Sequence, residues 1–350
     1  MSDPAQAPPQ RDVSLDVARG LLMAWIIMAV HPVFWLRLAP QTPASWGLFE
    51  MPLIFMIAGA AYFLGERGKA LTAGGYVVWF ARRATRILVP YWAYAIVCAL
   101  IVIAFVPSRG ADVGATFASW LNPIRGGAGH AAPMMNWHLW FVAPFLAVTA
   151  LLPFLTRIPA PKLPLWIWAA IGMAIMVAAN YADATHLGWA QMIVFYALWA
   201  VFGFALAAAP KRATPHAFLI VLVLCIAAMA AAYTVWPERF SISMQANKFP
   251  PNALFFVFCS AWMALILLIA PRIPKAIVEG LARAWWFKPF MSAGYSIYLW
   301  QGLGYAAAAY VGAQFAWNGW MVLPLAVAIT VALGILAAPL ERVRWPGGGR

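Results

Sequence analysis

Ten apolar runs, each long enough to cross a bilayer, follow one another along the 350 residues, and nothing else in the sequence restricts the fold so tightly. Bounded by charge, Pro or Gly, they fall near residues 18–35, 46–64, 87–106, 137–154, 164–180, 189–208, 217–235, 251–270, 290–313 and 319–338. A helix needs about 20 apolar residues to traverse the hydrocarbon layer. The pattern therefore predicts an all-α, polytopic integral membrane bundle of about ten transmembrane helices in one domain. Composition excludes a soluble fold: 65% of residues are apolar and 9% charged, whereas soluble domains carry about 25% charge. The 20 Trp residues suit anchoring at membrane–water interfaces. Residues 1–10 are polar and Pro-rich with no basic stretch, so they read as a disordered tail and not a cleaved leader. Residues 11–342 form the membrane domain, and 343–350 a C-terminal tail.

The formal charge of +13 comes from Lys and Arg between the apolar runs, so orientation in the bilayer accounts for it without nucleic acid. Of the 23 basic residues, 18 fall in the N-terminal region (with Arg19), in 65–86, 155–163, 209–216 and 271–289, and at the C-terminus; 5 fall in the alternate connections. Positive charge marks cytoplasmic loops, which predicts cytoplasmic N- and C-termini and contact with membrane lipids. The connection 107–136 then lies outside, as an irregular segment over a cavity mouth or as a plain connector. Cys98, Cys225 and Cys259 sit inside apolar runs without ligand spacing, which predicts core packing and neither a disulfide framework nor a metal.

Ionisable groups in such runs are costly and are functional candidates by default. In SLDVARGLLMAWIIMAVH, Asp16 and Arg19 stand at the inner start of the first span. His31 lies twelve residues beyond Arg19, about 18 Å along a helix. Arg19 either pairs with Asp16 at i,i+3 or serves a ligand; His31 either bonds a neighbouring helix or acts as a base. Glu50 begins the second span at a similar depth and either pairs with His31 or faces water. Arg82, Arg83 and Arg86 precede the third span, where they set topology or bind phosphate. Asn136, His138 and Trp140 open the fourth span at outward depth. Tyr295, Tyr298 and Gln301 occupy the inner half of the ninth, where such residues also hold helices together.

Six segments in order resemble acyltransferase family 3: SLDVARG with His31, MPLIFMIAG, RRATRILVPYW, HLWF, KFPPNALFF and YSIYL. The opening is also similar to heparan glucosaminide acetyltransferase-like proteins, and the layout to periplasmic glucan succinyltransferases. The resemblance implies a membrane O-acyltransferase of the bacterial inner membrane, with acyl-CoA as a cytoplasmic co-substrate and a glycan or lipid-linked hydroxyl as acceptor. It implies no permanently bound cofactor, and it leaves a homo-oligomer open. By the resemblance His31 is the base, and Arg19 with Arg83 and Arg86 holds the donor; the shared depth adds Glu50 as orienting partner of His31, and Arg82 joins the donor arginines by its place beside them. Asn136, His138, Trp140, Tyr295, Tyr298 and Gln301 remain for the acceptor. Two departures carry structural expectations. The family separates its Arg and His by ten residues, and here eleven, Gly20 to Val30, intervene. On an ideal helix the extra residue turns His31 by about 100° unless a π-bulge absorbs it. Gln301 also stands where the family often has a histidine, and Gln does not titrate. The competing classes are a transporter of a small anionic solute, which predicts a midplane polar cluster between interrupted helices, and a non-catalytic scaffold of a glycan assembly complex.

Overall fold

A computed structural model of the chain describes residues 13–66, 72–105, 112–127, 132–157, 165–181 and 188–343; the tail 1–10 and residues 344–350 lie outside these. Among the described residues all regular structure is helical. Eight segments are long and apolar enough to cross a membrane: α1 (Val13–Trp35), α2 (Gln41–Glu66), α3 (Ala73–Phe105), α4 (Pro133–Leu155), α6 (Gly188–Ala208), α7 (Pro215–Val235), α8 (Ala253–Arg272) and α10 (Gly319–Arg342). The other two expected spans are present as helices, α5 (Leu165–Tyr181) and α9 (Gly294–Gln314). The first has 17 residues. The second is long, but Tyr, Ser, Gln and Gly lower its hydropathy. Its position explains why that is tolerated: α9 packs against α10, α3, α1 and the turn that opens α4, and it buries Ser296, Tyr298 and Gln301. Protein, not lipid, solvates those polar groups.

Close backbone contact ties α2 to α6. A Cβ on Gly59 would collide with the Ala200 carbonyl, and one on Gly203 with that of Met56, so each helix supplies the small residue the other needs. By contrast α7 packs on α8 and leaves Leu219, Ile220, Val223 and Leu224 on the outer surface. Cys98 and Cys259 are core residues as expected, and Cys225 on α7 is partly exposed.

Two expectations are corrected. Helix α3 begins at Ala73, so Arg82, Arg83 and Arg86 lie within it and not in the connection before it. Nothing in AGGYVVWFARRATR stops a helix once begun, and Ala and Arg favour one. At about 50 Å the 33-residue helix outreaches the hydrocarbon layer. The 107–136 connection is not irregular throughout: Val113–Leu121 is a helix. Asp112 caps its start by accepting from the Ala115 N–H (2.8 Å), and at its end the Tyr91 hydroxyl and the Trp92 indole donate to the Trp120 and Leu121 carbonyls. Its inner face, Thr116, Ser119 and Trp120, is buried.

Candidate active site

The site begins with an irregularity in α1. Residues Ile26–Val30 form a π turn, and the His31 N–H bonds the Ile26 carbonyl five residues back. This leaves the Ile27 carbonyl without a helical donor. Its α partner, the His31 N–H, is engaged elsewhere, and its π partner is Pro32, which has no N–H. The Tyr305 hydroxyl of α9 donates to it instead. A bare carbonyl in a dry interior is costly, so the bulge, Pro32 and Tyr305 work as one unit. A π-bulge accommodates one extra residue, which is the excess between Arg19 and His31, and His31 turns inward at 6% exposure.

There His31 Nδ1 lies 2.7 Å from Oε1 of Gln301. An amide oxygen only accepts, so Nδ1 carries the proton and Nε2 presents a lone pair. The ring stacks on Trp35 (centroids 5.1 Å apart) and meets Trp137 and Tyr298. His138 is 1% exposed, and its Nε2 donates to the Leu299 carbonyl at 2.9 Å, which leaves a buried Nδ1 without a partner. The Tyr298 hydroxyl donates to the His138 carbonyl (2.8 Å) and Tyr94 to that of Met135 (2.6 Å). Gly302 makes the room, since a Cβ there would lie 2.5 Å from Tyr94 Oη and 2.6 Å from His138 Cε1.

Both imidazoles line a small pocket with Trp137, Trp140, Lys248 and Phe249. Glu50 does not bond His31 as expected. It is 0% exposed and pairs with Lys248, whose Nζ is 2.5 Å from Oε1. A carboxylate removed from water takes the strongest counter-charge in reach, and an ammonium outcompetes a neutral imidazole. Lys248 escaped the sequence reading, although its motif KFPPNALFF was noted; a lone Lys abutting an apolar run was the available signal. Tyr305, which completes the bulge, is not marked by the sequence either, because its partner, the Ile27 carbonyl, is 278 positions away.

The remaining candidates divide by position. Trp140 lines the pocket, and Asn136 beside it donates to the Gly127 carbonyl at 2.9 Å. Tyr298 and Gln301, expected toward the inner side, share the depth of His31 and His138. Tyr295 lies about 4.5 Å along the helix from Tyr298 and about 9 Å from Gln301, where its hydroxyl donates to the Ile87 carbonyl (2.9 Å). Arg19 bonds Asp16 (3.0 Å) and the Met291 carbonyl (3.3 Å). Met291, in the short helix Lys288–Ser292 before α9, and Tyr295, in the first turn of α9, are four residues apart, so this segment brings Arg19 and the Arg86–Ile87 turn of α3 to one end of the bundle. Arg82 and Arg86 are exposed. Arg83 approaches Glu66 at 3.9 Å and stacks over Trp79.

The bundle thus has a buried imidazole pocket toward one end and guanidinium groups at the other, with His31 and Arg19 on the same helix. The family model of the acyltransferase domain matches residues 12–338, and the chain belongs to acyltransferase family 3, whose members are membrane acyltransferases. No curated protein and no solved structure matches it.

Proposed function

We propose that the protein transfers an acyl group from cytoplasmic acyl-CoA to a hydroxyl of a glycan or lipid-linked acceptor at the outer half of a bacterial inner membrane. The observation that carries this reading is the 2.7 Å contact of His31 Nδ1 with Gln301 Oε1, which holds Nδ1–H and leaves Nε2 as a base in an aromatic-lined pocket about 18 Å up the helix from Arg19. In this reading Arg19, Arg82, Arg83 and Arg86 hold the CoA phosphates, because guanidinium forks match phosphate geometry. The pantetheine arm reaches inward and brings the thioester to the pocket. The acceptor oxygen attacks the thioester carbon as its proton passes to His31 Nε2. The tetrahedral intermediate then collapses, the C–S bond breaks, and the sulfur takes the proton back from His31. Trp137 and Trp140 offer flat apolar faces for a sugar ring.

The test is release of free thiol from a panel of acyl-CoAs by the purified protein in liposomes, with and without hydroxyl acceptors. Acyl-CoA-dependent release that His31→Ala abolishes supports the reading; release no greater than from empty liposomes with every acyl-CoA overturns it. Orientation is tested separately. Ser119 is buried, so the neighbouring exposed Ala118 is the position for a cysteine. An impermeant maleimide should label Ala118→Cys in intact cells and leave Ala73→Cys unlabelled; the opposite pattern inverts the topology.

A further inference from the structure

The buried pair Glu50–Lys248 has no part in the chemistry so far. Lys248 is 4% exposed and Glu50 0%, and Lys248 Nζ also lies 5.7 Å from the Trp140 ring centroid. Replacing a buried ion pair by apolar residues is often neutral or stabilising, so packing alone does not account for it. Two features give it a direction. Lys248 lines the same pocket as His31. Its ammonium carries three N–H donors and makes one hydrogen bond, to Glu50 Oε1, while Glu50 Oε2 is buried without a partner.

We infer that Lys248 is a catalytic residue whose ammonium stabilises the oxyanion of the tetrahedral intermediate, with Glu50 as the positioning residue that holds it. The inference rests on the acyl-transfer reading above. As the acceptor oxygen bonds the thioester carbon, two charges appear in the pocket: an imidazolium at His31 and an anion on the former carbonyl oxygen. The Glu50–Lys248 pair is neutral overall and already in place, with the ammonium held by Glu50 at the pocket lining, where its remaining N–H donors face the developing anion. A fixed dipole in a water-poor site does this without reorganising during the reaction.

The experiment uses wild type, Lys248→Met and the double variant Glu50→Met/Lys248→Met in octyl glucoside micelles. Acetyl-CoA is the donor and the detergent sugar the hydroxyl acceptor, with turnover, CoA affinity and thermal midpoint measured together. Lys248→Met strands a buried carboxylate and is expected to lower the midpoint; the double variant removes both charges and restores it. The inference predicts that the refolded double variant binds CoA as wild type does, yet turns over about 10²–10³-fold more slowly, the loss that follows removal of one oxyanion donor. A stable double variant with wild-type turnover overturns it and makes the pair structural. A wild type inactive with every acyl-CoA of the panel above, by contrast, overturns the acyl-transfer reading itself and this inference with it.

Discussion

The two ends of α1 are built to opposite rules. Around His31 each ring is enclosed and directed: Nδ1 by Gln301, its flank by Trp35, and the neighbouring His138 by the Leu299 carbonyl and the space at Gly302. Around Arg19 the groups are half exposed and loosely tied, with one i,i+3 pair at 3.0 Å and one contact at 3.3 Å, while Arg82 and Arg86 point outward. The difference matches what each end has to do under the proposed reaction. A base must meet its proton within tenths of an ångström. A polyanion needs positive charge nearby in almost any arrangement, and exposed guanidinium groups supply it with modest geometric demand.

The sharpest way to separate the ends is to remove one and read both. His31→Ala is expected to cut turnover by about 10²–10⁴-fold, the usual contribution of a general base, while CoA affinity measured by calorimetry stays at the wild-type value. Turnover near wild type would make His31 structural and move the role to His138, whose Nδ1 is the other lone pair without a partner there.

Next in size is an indirect perturbation at the ordered end. Gly302→Ala adds a methyl group where Tyr94 Oη and His138 Cε1 stand at 2.5 and 2.6 Å, closer than side chains tolerate. His138 must shift, and a displacement of about 1 Å in a catalytic array costs up to about 10²-fold. Turnover should fall by that order with CoA affinity unchanged. An active Gly302→Ala would mean that the pocket is as tolerant as the arginine end, and the contrast would fail.

Much of this was legible in the sequence, for physical reasons that also mark where legibility stops. Run length fixes the number of helices, because the bilayer sets the length. The same rule gave α3 too late a start, since hydropathy falls at ARRATR whereas helix propensity does not. Polar residues inside apolar runs pointed to His31, His138 and Gln301 one at a time. That His31 meets Gln301, 270 positions away, depends on tertiary packing that no local spacing encodes. Glu50 was matched to the wrong partner for a related reason: Lys248 lies 198 positions off in a short segment between spans, and its charge settles the pairing. The π turn is the exception, because one surplus residue on a helix with a fixed repeat must be either absorbed or expressed as rotation.

At the loosely built end the effect should be in binding. Arg83→Ala/Arg86→Ala is expected to weaken CoA by roughly tenfold, a little over 1 kcal/mol for charge-assisted contacts in partly exposed positions, with turnover at saturating donor preserved. Because the contacts are solvent-screened, the wild-type affinity should itself decline with added salt. Equal CoA affinity in wild type and the double variant would assign these arginines to topology alone.

The smallest effect is predicted for the most drastic-looking change, deletion of Met28. Met28 lies in the π turn and is 52% exposed, so its side chain contributes little packing. Removing it leaves three residues between Ile26 and His31, and the His31 N–H then meets the same Ile26 carbonyl as an ordinary α-helical bond. The bulge is lost, the interval from Arg19 returns to ten residues, and His31 keeps its face toward Gln301. Turnover close to wild type, with unchanged CoA affinity, is the expected result. A loss as large as that of His31→Ala would mean that the deletion turned the imidazole away. The bulge would then serve the site in its own right, through the Ile27 carbonyl and Tyr305, and not merely take up a surplus residue.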